Sequence, residues 1–133
     1  MKTILVLEDE VLVMRLLRHM LKQYDIIEAT TAEEALRLFT NLGRIDALIA
    51  DVILPKSSGI KIALLFRLQI PELPVILTSG FPIGNWSDQD SADLSRLGSK
   101  SVAFLQKPFH AEEVRDTVRT LIGEPKPDKA RRA

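Results

Sequence analysis

The chain has 133 residues, of which 46% are hydrophobic and 27% are charged, a balance typical of one folded domain and not of a disordered chain. Basic and acidic residues number 18 each, and there is no cysteine. We therefore expect a cytoplasmic protein without disulfides or thiolate chemistry, and the charge balance gives no support for direct binding to nucleic acid or to an anionic membrane.

The first apolar run predicts a buried strand. Ile4–Leu7 is wholly apolar and stops at the acidic residues Glu8–Glu10, so it is too short for the core of a signal peptide. No other stretch approaches the ~20 apolar residues of a membrane span. A short apolar run with β-branched members is typical of a central strand covered on both faces.

The next elements alternate between helix and strand. Apolar residues recur at spacings of three and four from Val13 to Leu21, which predicts an amphipathic helix. Asp25–Ala29 is a predicted strand. Thr31 and Glu34 then form a capping box that opens a second helix, and Gly43 supplies its end.

The second half of the chain repeats this alternation. Three further strands are predicted at Ala47–Ala50, Pro74–Thr78 and Ser101–Leu105. Helical spacing follows Gly59, and a last helix is predicted over Ala111–Ile122. Strands that alternate with helices indicate an α/β fold, with a parallel sheet covered on both sides.

Two segments are expected to lack regular structure. The connection from Phe81 to Ser99 is rich in turn-forming residues, so we expect an irregular segment with at most a short helix from Ser91 to Leu97. After Ile122 the chain has two prolines and no apolar periodicity. We therefore predict one domain over residues 1–122 and a flexible tail or linker stub over residues 123–133.

Polar side chains follow four of the predicted strands. In an open parallel sheet, ligands bind outside the carboxyl ends of the strands. The residues found there are three acids, a hydroxyl and an ammonium: Glu8, Asp9, Asp51, Thr78 and Lys107. Clustered carboxylates repel one another unless a cation compensates, and oxygen ligands suit Mg²⁺. A carboxylate can also attack phosphorus, with Lys107 as the compensating cation and Thr78 as the hydroxyl donor.

These residues stand in four ordered motifs that resemble the receiver (CheY-like) family of response regulators. The motifs are Leu7–Glu10, Asp51–Pro55 with Gly59 downstream, Pro74–Gly80 and Phe104–Phe109. The resemblance extends from about Thr3 to Ile122. It implies a flavodoxin-like three-layer sandwich with a five-stranded parallel sheet in the order 2-1-3-4-5, here with a short or irregular fourth helix.

The resemblance implies a role for each site residue. Asp51 would be the phosphoacceptor. Asp9, Asp51 and the backbone carbonyl of Ile53 would be direct Mg²⁺ ligands, and Glu8 would hold the ion through water. Lys107 would contact the phosphoryl oxygens.

Further roles follow from the same resemblance. Thr78 would donate its hydroxyl to the phosphoryl group and, with Phe104, form the switch pair. Because Phe104 has no hydroxyl, that switch would act through packing. Pro108 would follow a cis peptide bond.

The function implied is signal reception and not enzymatic turnover. A sensor histidine kinase or phosphotransfer protein would phosphorylate Asp51, and an interaction surface for an unidentified effector protein would change. We expect no direct contact with nucleic acid or membrane, no output domain in this chain, and a monomer or weak homodimer. The alternatives are a receiver module of a hybrid histidine kinase and a pseudo-receiver that binds partners without phosphorylation.

Overall fold

The computed structural model describes residues 1–125 and contains one five-stranded parallel sheet. Its strands are β1 (Thr3–Leu7), β2 (Asp25–Ala29), β3 (Ala47–Asp51), β4 (Val75–Ser79) and β5 (Val102–Gln106). Their order across the sheet is β2-β1-β3-β4-β5. This confirms the predicted fold class and strand order. The predicted tail lies almost wholly outside the described residues.

Five α-helices connect or follow the strands. They are α1 (Val11–Met20), α2 (Ala32–Leu42), α3 (Gly59–Gln69), α4 (Asp88–Leu97) and α5 (Ala111–Ile122). Thr31 caps α2 as predicted, since its side chain accepts a hydrogen bond of 3.1 Å from the Glu34 N–H. The Glu34 side chain accepts from the Thr30 N–H and not from the Thr31 N–H, so only the Thr31 half of the predicted capping box is formed.

Successive residues of the central strands feed two separate cores, because side chains alternate across a sheet. Leu5 and Leu48 join a core on the α2–α3 face. There the rings of Phe39 and Phe66 stack with centroids 4.0 Å apart. Ile4 and the alternate strand residues that point the same way lie in a second core, on the opposite face of the sheet and beneath α1 and α5. Both faces of the sheet are therefore covered, as the unbroken apolar runs predict.

The fourth helix, α4, is longer than the short helix predicted from the sequence. It begins at Asp88, because the Ser87 hydroxyl caps it by accepting from the Asp90 N–H at 3.1 Å. A single 3-10 turn, Ile83–Asn85, precedes it. The expectation of an irregular segment with a helix no longer than Ser91–Leu97 is therefore wrong. Serine and aspartate are unfavourable in the middle of a helix, but they stabilise its N-cap and its first turn.

Gly59 allows the start of α3 to approach the end of β3. A Cβ atom at this position would lie 2.3 Å from the Asp51 carbonyl oxygen and 2.8 Å from the Ala50 Cβ. Any other residue would force the helix away from the strand. Gly59, in the second of the four motifs, thus fixes the backbone around Asp51 through close packing.

Candidate functional site

The carboxyl ends of the parallel strands place the predicted site residues at one edge of the sheet. Glu8 and Asp9 directly follow β1, and Asp51 is the last residue of β3. Thr78 lies opposite Asp51 in the register of β3 and β4. Lys107 directly follows β5, and its N–H donates to the Ser79 carbonyl at 2.9 Å. Four strands therefore position the site.

Three carboxylates converge at this edge. Glu8, Asp9 and Asp51 each offer one oxygen, and these oxygens all lie within 4.8 Å of one another. Glu8 is 1% exposed and Asp51 is 5% exposed, whereas Asp9 faces solvent. One face of the group is thus open to an incoming ion. All-oxygen ligands of this kind suit a hard divalent cation such as Mg²⁺.

Glu8 is a buried carboxylate with one oxygen that makes no hydrogen bond among the described residues. Burial raises the pKa of its carboxyl group above the ordinary value, and hydrogen bonding to the Glu10 N–H and the nearby ammonium of Lys107 only partly oppose this effect. Glu8 Oε1 is 3.1 Å from Lys107 Nζ, but the orientation does not make a hydrogen bond, so this buried oxygen has no hydrogen-bond partner among the described residues. A cation or its bound water would satisfy it.

Lys107 is the central positive charge. Its Nζ lies 2.9 Å from Asp51 Oδ2 and 3.2 Å from Glu10 Oε1. Burial alone would lower the pKa of this ammonium, but its interactions with Asp51 and Glu8 raise the pKa above the ordinary value. Lys107 therefore stays protonated and offsets part of the negative charge around Asp51. The Lys107–Pro108 peptide bond is cis.

The second Asp51 oxygen is held by the backbone after β3. Asp51 Oδ1 accepts a hydrogen bond of 3.1 Å from the Ile53 N–H, and the half-exposed Ile53 lies at the mouth of the site. Thr78, opposite Asp51, is buried. One Asp51 oxygen therefore contacts an ammonium and the other a backbone donor, which orients the carboxylate.

Phe104 lies further from the acidic group, on β5 opposite Leu77. Its ring is 42% exposed and packs against Trp86, with ring centroids 6.0 Å apart. Trp86 also contacts the core on the α2–α3 face. The sequence left open whether Trp86 packs on the domain or is free for a partner, and the structure places it against the domain.

Glu10 was not predicted as a site residue. It is the N-cap residue of α1, yet its side chain makes no hydrogen bond to the helix. Instead it extends to the ammonium of Lys107. The available signal was its residue type, because glutamate is a poor N-cap and a short polar side chain would be usual there.

Among residues 1–125, no helix has both the length and the apolar character needed to cross a membrane.

Comparison with known sequences points to one family. A family model described as response regulator receiver domain matches residues 4–119. The chain is 29% identical over 123 residues to the alkaline phosphatase synthesis transcriptional regulatory protein PhoP of Bacillus subtilis, covering 91% of this chain and 48% of PhoP. It is also 29% identical to the sensor kinase CckA of Brucella abortus, covering 90% of this chain and 12% of CckA. The chain thus spans about half the length of PhoP, and a small part of CckA.

Solved structures agree with this assignment. The response regulator TrrA of Thermotoga maritima, determined in complex with Mg²⁺–BeF, is 30% identical with a TM-score of 0.73, covering 91% of this chain and 99% of that one. The chemotaxis protein CheY4 of Vibrio cholerae has a TM-score of 0.77 at 22% identity, covering 91% and 98% of the two chains. At that identity, the likeness to CheY4 supports the fold.

Proposed function

Because the chain belongs to the response regulator receiver domain family, we propose that it accepts a phosphoryl group on Asp51 from a histidine kinase or phosphotransfer protein. Phosphorylation then changes a surface that binds an effector. The observation that carries this proposal is the convergence of Asp51 with Glu8, Asp9 and Lys107 at one edge of the sheet.

The residues around Asp51 suit phosphoryl transfer. An Asp51 oxygen forms the new bond to phosphorus, while the bond between phosphorus and the donor atom breaks and the donor leaves with that electron pair. Lys107, already 2.9 Å from Asp51 Oδ2, follows the added negative charge and binds a phosphoryl oxygen. Thr78, opposite Asp51 on β4, donates its hydroxyl to another. The protein contributes position and charge, and it is the acceptor of the group and not a turnover enzyme.

Mg²⁺ is the cofactor we propose. Asp9, Asp51 and the Ile53 carbonyl would hold it directly and Glu8 would hold it through water. When bound, the ion neutralises negative charge on the transferred group. The chain's own support for this is the cluster of oxygens within 4.8 Å and the buried, unsatisfied Glu8 Oε1. The related TrrA was determined with Mg²⁺ and a fluoride of beryllium.

The output surface we propose includes Thr78, Phe104 and the connection between β4 and α4. The connection begins immediately after β4, and its Trp86 packs on Phe104. A change at Asp51 therefore has a short path to an exposed aromatic surface. The receiving effector is a further protein or domain of unknown identity.

One alternative is a receiver module of a hybrid histidine kinase. The match to a 12% portion of the sensor kinase CckA supports it, and the chemistry at Asp51 would be the same. A pseudo-receiver that is never phosphorylated is disfavoured, because Asp51, Thr78 and Lys107 are all present and Lys107 contacts Asp51.

Phosphorylation is tested by incubating the protein with acetyl phosphate and Mg²⁺ and measuring its intact mass. We expect one added phosphoryl group in the wild type and none in Asp51→Asn. Asp46→Asn is the matched control, because Asp46 precedes β3 at the opposite edge of the sheet. Phosphotransfer from candidate kinases then identifies the donor. Equal labelling of Asp51→Asn and wild type would refute Asp51 as the acceptor.

A further inference from the structure

The ammonium of Lys107 is shared between the buried site and an exposed carboxylate at its rim. Lys107 Nζ contacts Asp51 Oδ2 at 2.9 Å and Glu10 Oε1 at 3.2 Å. The two partners differ in environment, since the side chain of Asp51 is 7% exposed and that of Glu10 is 62% exposed. Glu10 is not part of the group of three acids that could hold a metal.

The backbone explains why the Glu10 side chain is free to reach Lys107. Glu10 is the N-cap residue of α1, but its side chain does not cap the helix. The Glu10 N–H donates instead to Glu8 Oε2 at 3.0 Å. That hydrogen bond fixes the Glu10 backbone beside the acidic group, while the Glu10 side chain extends to Lys107.

We propose that Glu10 is a positioning residue that competes with the phosphoryl group on Asp51 for the ammonium of Lys107. This inference rests on the proposed function of Asp51. While Glu10 holds Lys107, the ammonium is less available to phosphoryl oxygens. Glu10 thereby weakens the phosphorylated state and lowers the affinity for an anionic phosphodonor.

The test measures binding of Mg²⁺ with beryllium fluoride, the combination present in the TrrA structure, by calorimetry. We expect Glu10→Gln to bind beryllium fluoride about threefold to tenfold more tightly than wild type at saturating Mg²⁺, because Lys107 is then released from one competing carboxylate at the protein surface. With acetyl phosphate, the concentration giving half-maximal rate should fall by a similar factor, and the maximal rate should change less than twofold.

Two controls separate an effect through the position of Lys107 from a general effect of negative charge on binding. Glu72→Gln removes the same charge at an exposed residue between α3 and β4, at the opposite edge of the sheet, and should leave the affinity unchanged. In a Lys107→Ala background, Glu10→Gln should have less than a twofold effect, because the group that Glu10 positions is gone.

Each outcome decides the proposal. Equal affinities of Glu10→Gln and wild type would overturn it while leaving the proposed function of Asp51 intact. A Glu10→Gln effect that persists in full without Lys107 would also overturn it, because the effect would then come from charge alone. Failure of the wild type to bind beryllium fluoride at all would overturn both this inference and the proposed function.

Discussion

The indole ring of Trp86 packs against the ring of Phe104, with centroids 6.0 Å apart and ring planes inclined by 58°. The indole N–H also donates to the Phe81 carbonyl at 3.2 Å. Trp86 therefore joins the connection after β4 to the exposed surface of β5. Since the connection starts beside Thr78, which lies opposite Asp51, Trp86 stands between the site and that surface.

Trp86 should report phosphorylation. It is the single tryptophan of the chain, so its fluorescence can be measured without ambiguity. We expect acetyl phosphate with Mg²⁺ to shift or quench its emission in the wild type, because a change at Thr78 alters the packing of Trp86 on Phe104. Asp51→Asn should show no such change. Unaltered emission in protein that is fully phosphorylated by intact mass would contradict this coupling.

Asp9 should be essential for tight Mg²⁺ binding. It is the exposed member of the three-acid group, so its removal should leave the fold intact. We expect Asp9→Ala to weaken Mg²⁺ binding by at least about tenfold, because loss of a direct carboxylate ligand should cost no less than loss of a residue that hydrogen-bonds to a ligand. Calorimetry measures the affinity. Asp25→Ala, which removes an exposed aspartate at the start of β2, should bind Mg²⁺ as the wild type does.

Arg67 should contribute strongly to stability. Its guanidinium, on α3, donates to the backbone carbonyls of four residues, Leu73, Leu97, Lys100 and Ser101. These carbonyls follow α3, end α4 and precede β5, so one side chain joins three segments. Burial lowers the pKa of Arg67, but an arginine stays charged in proteins, and its planar group suits several acceptors at once.

We expect Arg67→Ala to lower the free energy of unfolding by about 1–3 kcal/mol, because it removes the side-chain donor to the partly buried Leu73 and Leu97 carbonyls. Urea denaturation measures the change. Arg67→Lys should recover only part of the loss, since one ammonium cannot span the same carbonyls. Arg37→Ala, which removes an exposed arginine 3.8 Å from Glu34, is the matched control and should cost less than about 1 kcal/mol. Equal effects of Arg67→Ala and Arg37→Ala would argue against the role of Arg67.

The sequence predicted the strands, and it predicted that the three acids and Lys107 would lie together, because both depend on local patterns. Buried apolar runs marked the strands, and the polar residues that end them had to meet at one edge of a parallel sheet. Asp51 and Lys107, far apart in the chain, are 2.9 Å apart for this reason.

Other features were beyond local patterns. The start of α4 was missed because serine and aspartate favour both turns and helix starts, and their position decides between the two. The contacts of Arg67 could not be predicted, since its partners are backbone carbonyls that any sequence would offer. The contact between Glu10 and Lys107 depends on the direction of one flexible side chain.

The ion pair between Arg18 and Glu28 should make a small, pH-dependent contribution to stability. It joins α1 to β2 through two hydrogen bonds, one of them 2.8 Å long from Arg18 Nη2. Hydrogen bonding to Arg18 lowers the pKa of the Glu28 carboxyl group. A lowered folded-state pKa means that the stabilisation is present above the unfolded pKa of about 4.3 and is lost as pH falls through the folded value.

We therefore expect Glu28→Gln to lower the free energy of unfolding at pH 7 by no more than about 1 kcal/mol, since the pair is largely exposed. The difference from wild type should shrink as the pH falls below about 4 and as salt is raised. Urea titrations at several pH values measure it. A difference that grows on acidification would contradict the assigned direction of the pKa.

The segment from Phe81 to Ser99 should show two levels of protection in hydrogen exchange. At its C-terminal end, Arg67 holds the Leu97 carbonyl at 3.1 Å and Leu97 is buried. At its N-terminal end, Phe81 and Ile83 are exposed, and the 3-10 turn contains no buried residue. We expect amides from Asp93 to Gly98 to exchange more slowly than those from Phe81 to Trp86, because fewer contacts must break to open the stretch from Phe81 to Trp86.

Acetyl phosphate with Mg²⁺ should change hydrogen exchange mainly from Phe81 to Trp86, the stretch that follows Thr78 in the chain. Asp51→Asn should abolish that change. Uniform strong protection across the segment, unaltered by phosphorylation, would show that the connection after β4 does not respond to the site.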